Sequence, residues 1–153
     1  MAMGFYTDLE RGKIGEQLVY NALAAKNHKV IDLRNDIEAR WNDIDCVVEK
    51  NGLQTTLEIK TDFASERTGN FFIEYQNYNN IKHKYLGWFK YCKAEWICFV
   101  QETARKAYIV SFDELKETIE KNKFRTACGI DASGFLLPFS ALEQFESLFC
   151  LEL

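Results

Sequence analysis

The spacing of apolar and polar positions changes several times along the chain, and each change predicts an element. From residue 7 to about 26, Ile14, Leu18, Ala22 and Ala25 recur at helical spacing, and Thr7 with Glu10 forms a capping box that predicts the helix start. Residues 30–33 read as a short strand. Residues 44–50 and 53–60 alternate with period two around Asn51-Gly52, the dipeptide best suited to a two-residue type I′ turn, and so predict a hairpin. Residues 71–75 and 96–100 read as further strands, with 107–110 as an edge. A helix is expected over about 79–91, carrying Ile81, Tyr85, Trp88 and Phe89. Two more capping boxes, Ser111 with Glu114 and Ser140 with Glu143, predict later helices, the last carrying Leu142, Phe145 and Phe149. This order of elements predicts an α/β fold, a mixed β-sheet flanked by helices. The chain reads as one domain over 1–153, with a core at about 8–110 and a C-terminal helical extension at about 111–153.

The hairpin has a chemical consequence. With the turn at Asn51-Gly52, Lys50 faces Leu53, Asp45 falls opposite Glu58, and Asp43 falls opposite Lys60. Alternation then gathers Asp43, Asp45, Glu58 and Lys60 on one face and sends Ile44, Cys46, Leu57 and Ile59 to the other. Directly opposed carboxylates repel. A divalent cation bound by oxygens from both side chains resolves that repulsion, and Lys60 adds a positive charge beside it. A metal that polarises a phosphoryl oxygen, with an ammonium that orients the nucleophile, suits phosphate-ester hydrolysis. The competing reading is an exposed hairpin face on which Lys60 neutralises two surface acids. On the first helix, Gly12 and Gly15 leave bare backbone around Glu16. Two helical glycines cost about 1 kcal/mol each against alanine. Close approach to another element, with Glu16 as a third carboxylate, is one reason to keep them; an ordinary surface glutamate is the other reading.

Composition narrows the class. The chain is 47% hydrophobic and 14% aromatic, which suits a globular protein. No apolar run is long enough to span a bilayer and no signal-peptide core opens the sequence, so a cytoplasmic, soluble protein without membrane contact is expected. Five scattered cysteines without C-x-x-C spacing read as reduced thiols, and two histidines, His28 and His83, offer little for a Cys/His mechanism. The net charge of −4 counts against a nucleic-acid partner. Its distribution counts for one, since Lys13, Arg67, Lys82, Lys84 and Lys90 could make a local basic face. Tyr85, Trp88 and Tyr91 interleave with the later lysines, though core packing is the better reading for them. Glu74 and Gln76 share a predicted strand face and could extend the site.

Gly12-Lys-Ile-Gly-Glu16 on the first helix, Asp43-Ile-Asp45 opening a strand and Glu58-Ile-Lys60 ending the next together resemble the PD-(D/E)xK nuclease superfamily, in particular its Holliday-junction-resolvase-like and phage-type endonuclease members. The resemblance covers roughly residues 12–100. It implies a restriction-endonuclease-like core that binds Mg²⁺ (or Mn²⁺), with Asp45 and Glu58 as metal ligands and Ile59 offering its backbone carbonyl. Lys60 would then assist the attacking water, and Glu16 would act on the metal directly or through water. The implied function is a hydrolase, a DNA endonuclease of phage, mobile-element or repair type, with DNA favoured over RNA. A homodimer would suit cleavage of two strands. The alternative is a catalytically inactive module of the same fold that binds nucleic acid or protein. The superfamily's proline before the aspartate is replaced by Ile44, and Asp43 remains a rival to Asp45.

Overall fold

The computed structural model describes residues 2–153, with side chains from residue 9 onward. The first helix, α1, spans Ala2–Ala25. It therefore begins ahead of the cap predicted at Thr7, because the preceding residues hold no proline to stop it; the Thr7 side chain lies outside the described residues. The chain then forms β1 (Lys29–Asp32), the short helix α2 (Ile37–Trp41), β2 (Cys46–Lys50) and β3 (Leu53–Thr61). The turn falls at Asn51-Gly52, where both residues have positive φ, and Lys50 pairs with Leu53 as the sequence predicts.

Next come α3 (Ser65–Thr68), β4 (Asn70–Asn77), a 3₁₀ turn over Ile81–His83, α4 (Trp88–Tyr91) and β5 (Trp96–Gln101). The continuous helix expected over 79–91 is thus broken. Lys84 and Tyr85 take positive φ, and the Gly87 amide donates to Tyr75 O at 3.0 Å, drawing the backbone against β4 where a Cβ would collide with the Glu74 carbonyl. A β-bulge between Glu74 and Gln76 also splits the face those two were expected to share.

The remainder is β6 (Lys106–Ser111), α5 (Phe112–Lys121), β7 (Thr126–Cys128), β8 (Ala132–Pro138), α6 (Phe139–Leu142) and β9 (Phe149–Glu152). Ser111 caps α5 as predicted, accepting from the Glu114 amide at 3.3 Å. The stretch expected to be a helical extension mixes the helices α5 and α6 with three strands, and Phe149 lies on β9 rather than on a helix. The Glu114 carboxylate explains part of this: it accepts from the Glu146 and Ser147 amides, each at 2.9 Å, and holds the chain in a loop there. Because β9 pairs with β6, β6 is not the edge it was expected to be.

The main sheet runs β1-β2-β3-β5-β6-β9, and β4-β8-β7 form a second, three-stranded sheet. All main-sheet neighbours are antiparallel except β3 and β5, which run parallel. The architecture is the expected mixed α/β arrangement of a sheet flanked by helices. One face of the main sheet packs Cys46, Leu57, Ile59, Cys98 and Val100 against Val19, Tyr20 and Leu23 of α1. The other packs Ile97, Phe99 and Val110 against Phe71, Ile73 and Leu137 of the second sheet, with Trp88, Phe112 and Leu115 filling between them. β3 lies inside the sheet with a core on each face, and its odd and even residues go to different cores.

Candidate active site

The alternation of β3 sends Leu57 and Ile59 under α1 and turns Glu58 and Lys60 to the opposite face, beside Ile97 and Phe99 of β5. Glu58 is only 5% exposed, so its charge needs a partner. Lys60 Nζ supplies one at 2.8 Å from Glu58 Oε1, and the same ammonium lies 2.9 Å from Asp43 Oδ2. Lys60 therefore bridges two acids and sits 5.4 Å from the centre of the Trp88 ring.

Asp45 lies one residue ahead of β2. Its amide donates to Leu57 O at 3.0 Å, but the next ladder position is taken by its own side chain, whose Oδ2 accepts from the Ile59 amide at 2.8 Å. The Asp45 carbonyl accepts from the Leu33 amide at 2.8 Å and from the Tyr20 hydroxyl at 3.1 Å. The simple picture of four polar residues on one face needs correction here. Asp43 has a positive φ of 55° and leaves the turn after α2, so regular alternation begins only at Cys46. Ile44 consequently packs with the core beside the second sheet, not with Cys46.

Gly15 explains how α1 comes close. A Cβ there would strike the Thr61 hydroxyl, so the bare backbone lets the helix settle on the end of β3. Gly12 faces open space and borders a cleft of about 870 Å³ lined by Lys13, Glu16, Arg34, Arg40, Asp45 and Glu58, with Asp32 and Asp43 also on its wall. Glu16 reaches this wall, where Arg34 Nη1 donates to its Oε2 at 2.9 Å. Arg34 also grips Asp32 through Nε at 2.9 Å and Nη2 at 2.7 Å, and its guanidinium lies 4.7 Å from the centre of the Tyr20 ring. Sequence reasoning missed Arg34 and Arg40; the one available signal was Asp32-Leu-Arg34 at the end of a predicted strand. Of the five basic residues expected to meet nucleic acid, Lys13 lines the cleft, while Arg67, Lys82, Lys84 and Lys90 are exposed elsewhere. Among the aromatics, Trp88 is core and Tyr85 is exposed. Tyr91 is half-buried and stacks on His83 with centroids 3.7 Å apart.

The electrostatics follow from burial. Desolvation pushes the Asp45 carboxyl up to about 6, opposed by the Ile59 amide and reinforced by the Glu16 charge. Burial also raises Glu58 well above the usual carboxylate range, Lys60 offsetting part of this while Asp43 and Asp45 add to it. For Lys60, burial alone would favour the neutral amine, but attraction to Glu58 and Asp43 outweighs it and the ammonium is held. Among the described residues, no three His, Cys, Asp or Glu side chains converge in a metal-holding group as they stand. Lys60 compensates Glu58, and Arg34 compensates Glu16. The donor set nevertheless suits a hard divalent cation: Asp45 and Glu58 offer only oxygens, and three carboxylates, Asp43, Asp45 and Glu58, lie around the single Lys60 ammonium.

No family model matches the sequence, and no curated protein matches it. Among solved structures, the chain is similar to a bacterial homing endonuclease, I-Ssp6803I, with a TM-score of 0.50 at 15% sequence identity over 82% of this chain and 72% of that one. At that identity the two share a fold.

Proposed function

We propose that the protein is a divalent-metal-dependent nuclease that hydrolyses phosphodiester bonds, with DNA as its substrate and endonucleolytic cleavage as its action. One observation carries this reading: Asp45 and Glu58 meet at the wall of an open cleft beside a lysine held by two acids, and Lys13, Arg34 and Arg40 line the same cleft. The likeness to a homing endonuclease supports it, as does the sequence resemblance to PD-(D/E)xK nucleases, and a phage, mobile-element or repair role belongs to the same proposal.

Mg²⁺ or Mn²⁺ would be held by Asp45 and Glu58, with the Ile59 carbonyl and Glu16 as further donors, and when bound would supply Lewis acidity toward a phosphoryl oxygen. The chain's own groups do the rest. Lys13, Arg34 and Arg40 bind and orient backbone phosphates in the cleft. Arg34 can do so while one edge of its planar fork stays on Asp32. Lys60 remains protonated, so it acts as a fixed cation rather than a base, orienting the attacking water and stabilising charge that develops on the phosphoryl oxygens. Asp43 and Glu58 fix its Nζ in place.

The test is incubation of the purified protein with supercoiled, linear, junction and single-stranded DNA in Mg²⁺, Mn²⁺ or EDTA. Cation-dependent cleavage of at least one substrate is expected, abolished by Asp45→Ala and by Lys60→Ala. Cleavage unchanged in EDTA overturns the mechanism. Cleavage that survives Asp45→Ala and is lost in Asp43→Ala moves the ligand role to Asp43. The second reading, an inactive module that binds nucleic acid, is favoured by Lys60 and Arg34 already engaging Glu58 and Glu16. It predicts DNA binding with no cleavage under any of these conditions.

A further inference from the structure

Lys60 borders a second opening. Whereas Asp45 and Glu58 line the polar cleft, Lys60 lines a separate cavity of about 540 Å³ together with Phe63, Phe72, Glu74, Trp88 and Tyr91. The two cavities differ in chemistry. The first presents carboxylates and guanidinium groups; the second presents aromatic rings with two carboxylates, of which Asp62 is taken up by the Ala64, Ser65 and Phe72 amides and Glu74 is the one with acceptor capacity to spare. The second cavity's volume falls in the range of small-ligand sites, about 300–1,000 Å³.

The rings here are not all spent on the core. Trp88 is buried, but Phe63 stays 40% exposed, with the Arg11 guanidinium 4.3 Å from its centroid. Tyr91 keeps one face on His83 and reaches the cavity wall. Glu74 is held in place by Asn77, whose Nδ2 donates to Glu74 Oε1 at 3.2 Å, and Asn77 is itself held by the Asn79 amide at 3.0 Å. A carboxylate has about four acceptor positions, so Glu74 retains capacity for a ligand that brings donors.

From this arrangement we infer that the aromatic cavity is a nucleobase subsite: it receives a base, turned out of the stack, from the nucleotide next to the phosphate that Lys60 contacts. This rests on the proposed nuclease reading and adds a specificity element to it. Base-to-ring stacking tolerates any base. Glu74 does not, because it accepts hydrogen bonds only. It matches the adjacent N1–H and N2–H₂ donors of guanine best, then the single amino group of cytosine or adenine; thymine offers one N3–H, and its two flanking carbonyls are repelled by the carboxylate. The polar cleft would follow the phosphates on one side of Lys60 while this pocket holds the base on the other.

The test uses DNA containing one mapped cleavage position, with the flanking nucleotide set to guanine, cytosine, adenine, thymine or an abasic analogue. Binding is read by fluorescence anisotropy in EDTA and cleavage in Mg²⁺ or Mn²⁺. For the wild-type protein, guanine should bind best and the abasic analogue about tenfold more weakly. Phe63→Ala should weaken binding of the guanine substrate by a similar factor while leaving the abasic one unchanged. Glu74→Gln should reduce the preference for guanine over thymine about tenfold. Phe63 is exposed, so its variant tests the subsite even if the Glu74 variant folds poorly. Normal cleavage with no base preference, and with Phe63→Ala indistinguishable from wild type, overturns the subsite and leaves the nuclease reading standing. Absence of both DNA binding and cleavage in the wild type overturns both.

Discussion

The two faces of β3 share one backbone and obey opposite rules. On the α1 side, Leu57 and Ile59 are buried among aliphatic side chains, and Gly15 lets the helix come close over Thr61. On the other side, Glu58 is buried and Lys60 partly so, carrying charge beside Ile97, Phe99 and Trp88 at the walls of two openings. The first face stabilises the fold by removing apolar surface from water. The second carries a desolvation cost that ion pairing only partly offsets. The difference teaches that a strand can be anchored by one face so that the other can hold groups that would not fold there unaided.

Breaking the polar face should have the largest effect. Lys60→Met leaves Glu58 and Asp43 without their ammonium, and a loss of about 3–5 kcal/mol is expected by urea denaturation, together with loss of cleavage. The double variant Glu58→Leu with Lys60→Met should recover most of that stability and none of the activity. A double variant no more stable than Lys60→Met would show that the ion pair is not what the fold depends on. On the apolar face, Leu57→Ala should cost about 2–4 kcal/mol, with cleavage per folded molecule retained. A somewhat smaller cost, about 2 kcal/mol, is expected for Gly15→Val, which pushes α1 away from Thr61. Its fall in melting temperature should come with impaired cleavage, because Glu16 moves with the helix.

The smallest effect is in pH. In the metal-free protein the Asp45 carboxyl titrates near 6, above its ordinary 3.8, so the folded state binds more protons between those values. Stability should therefore fall as pH rises through that window and level off above it. Melting curves of Asp45→Asn should lack that component. An Asp45-dependent slope of opposite sign would mean that the carboxylate is better compensated than its burial implies.

The hairpin was legible because both its determinants are local. Asn51-Gly52 fixes the turn and period two fixes the faces, so Glu58 and Lys60 could be placed on one side from the sequence. Asp43 and Ile44 could not be placed, because a positive φ ahead of the strand resets the alternation, and that turn is set by α2. The same limit hid Arg34, which joins its near neighbour Asp32 to Glu16 on α1, a contact that sequence does not reveal. The C-terminal strands were misread for a related reason. Glu114 and Ser111 look like a capping box, and Ser111 does cap α5. The Glu114 carboxylate, however, reaches 32 residues ahead to the Glu146 amide, a contact that no local pattern announces.

The Asp45 side chain occupies the slot a main-chain oxygen would fill as the last rung between β2 and β3, so zipping up the hairpin and shaping the cleft wall are a single event. An alanine there opens the rung as well as removing a carboxylate, so loss of cleavage in that variant mixes fraying with lost chemistry. Asparagine, whose amide oxygen can still receive the Ile59 proton, separates the two.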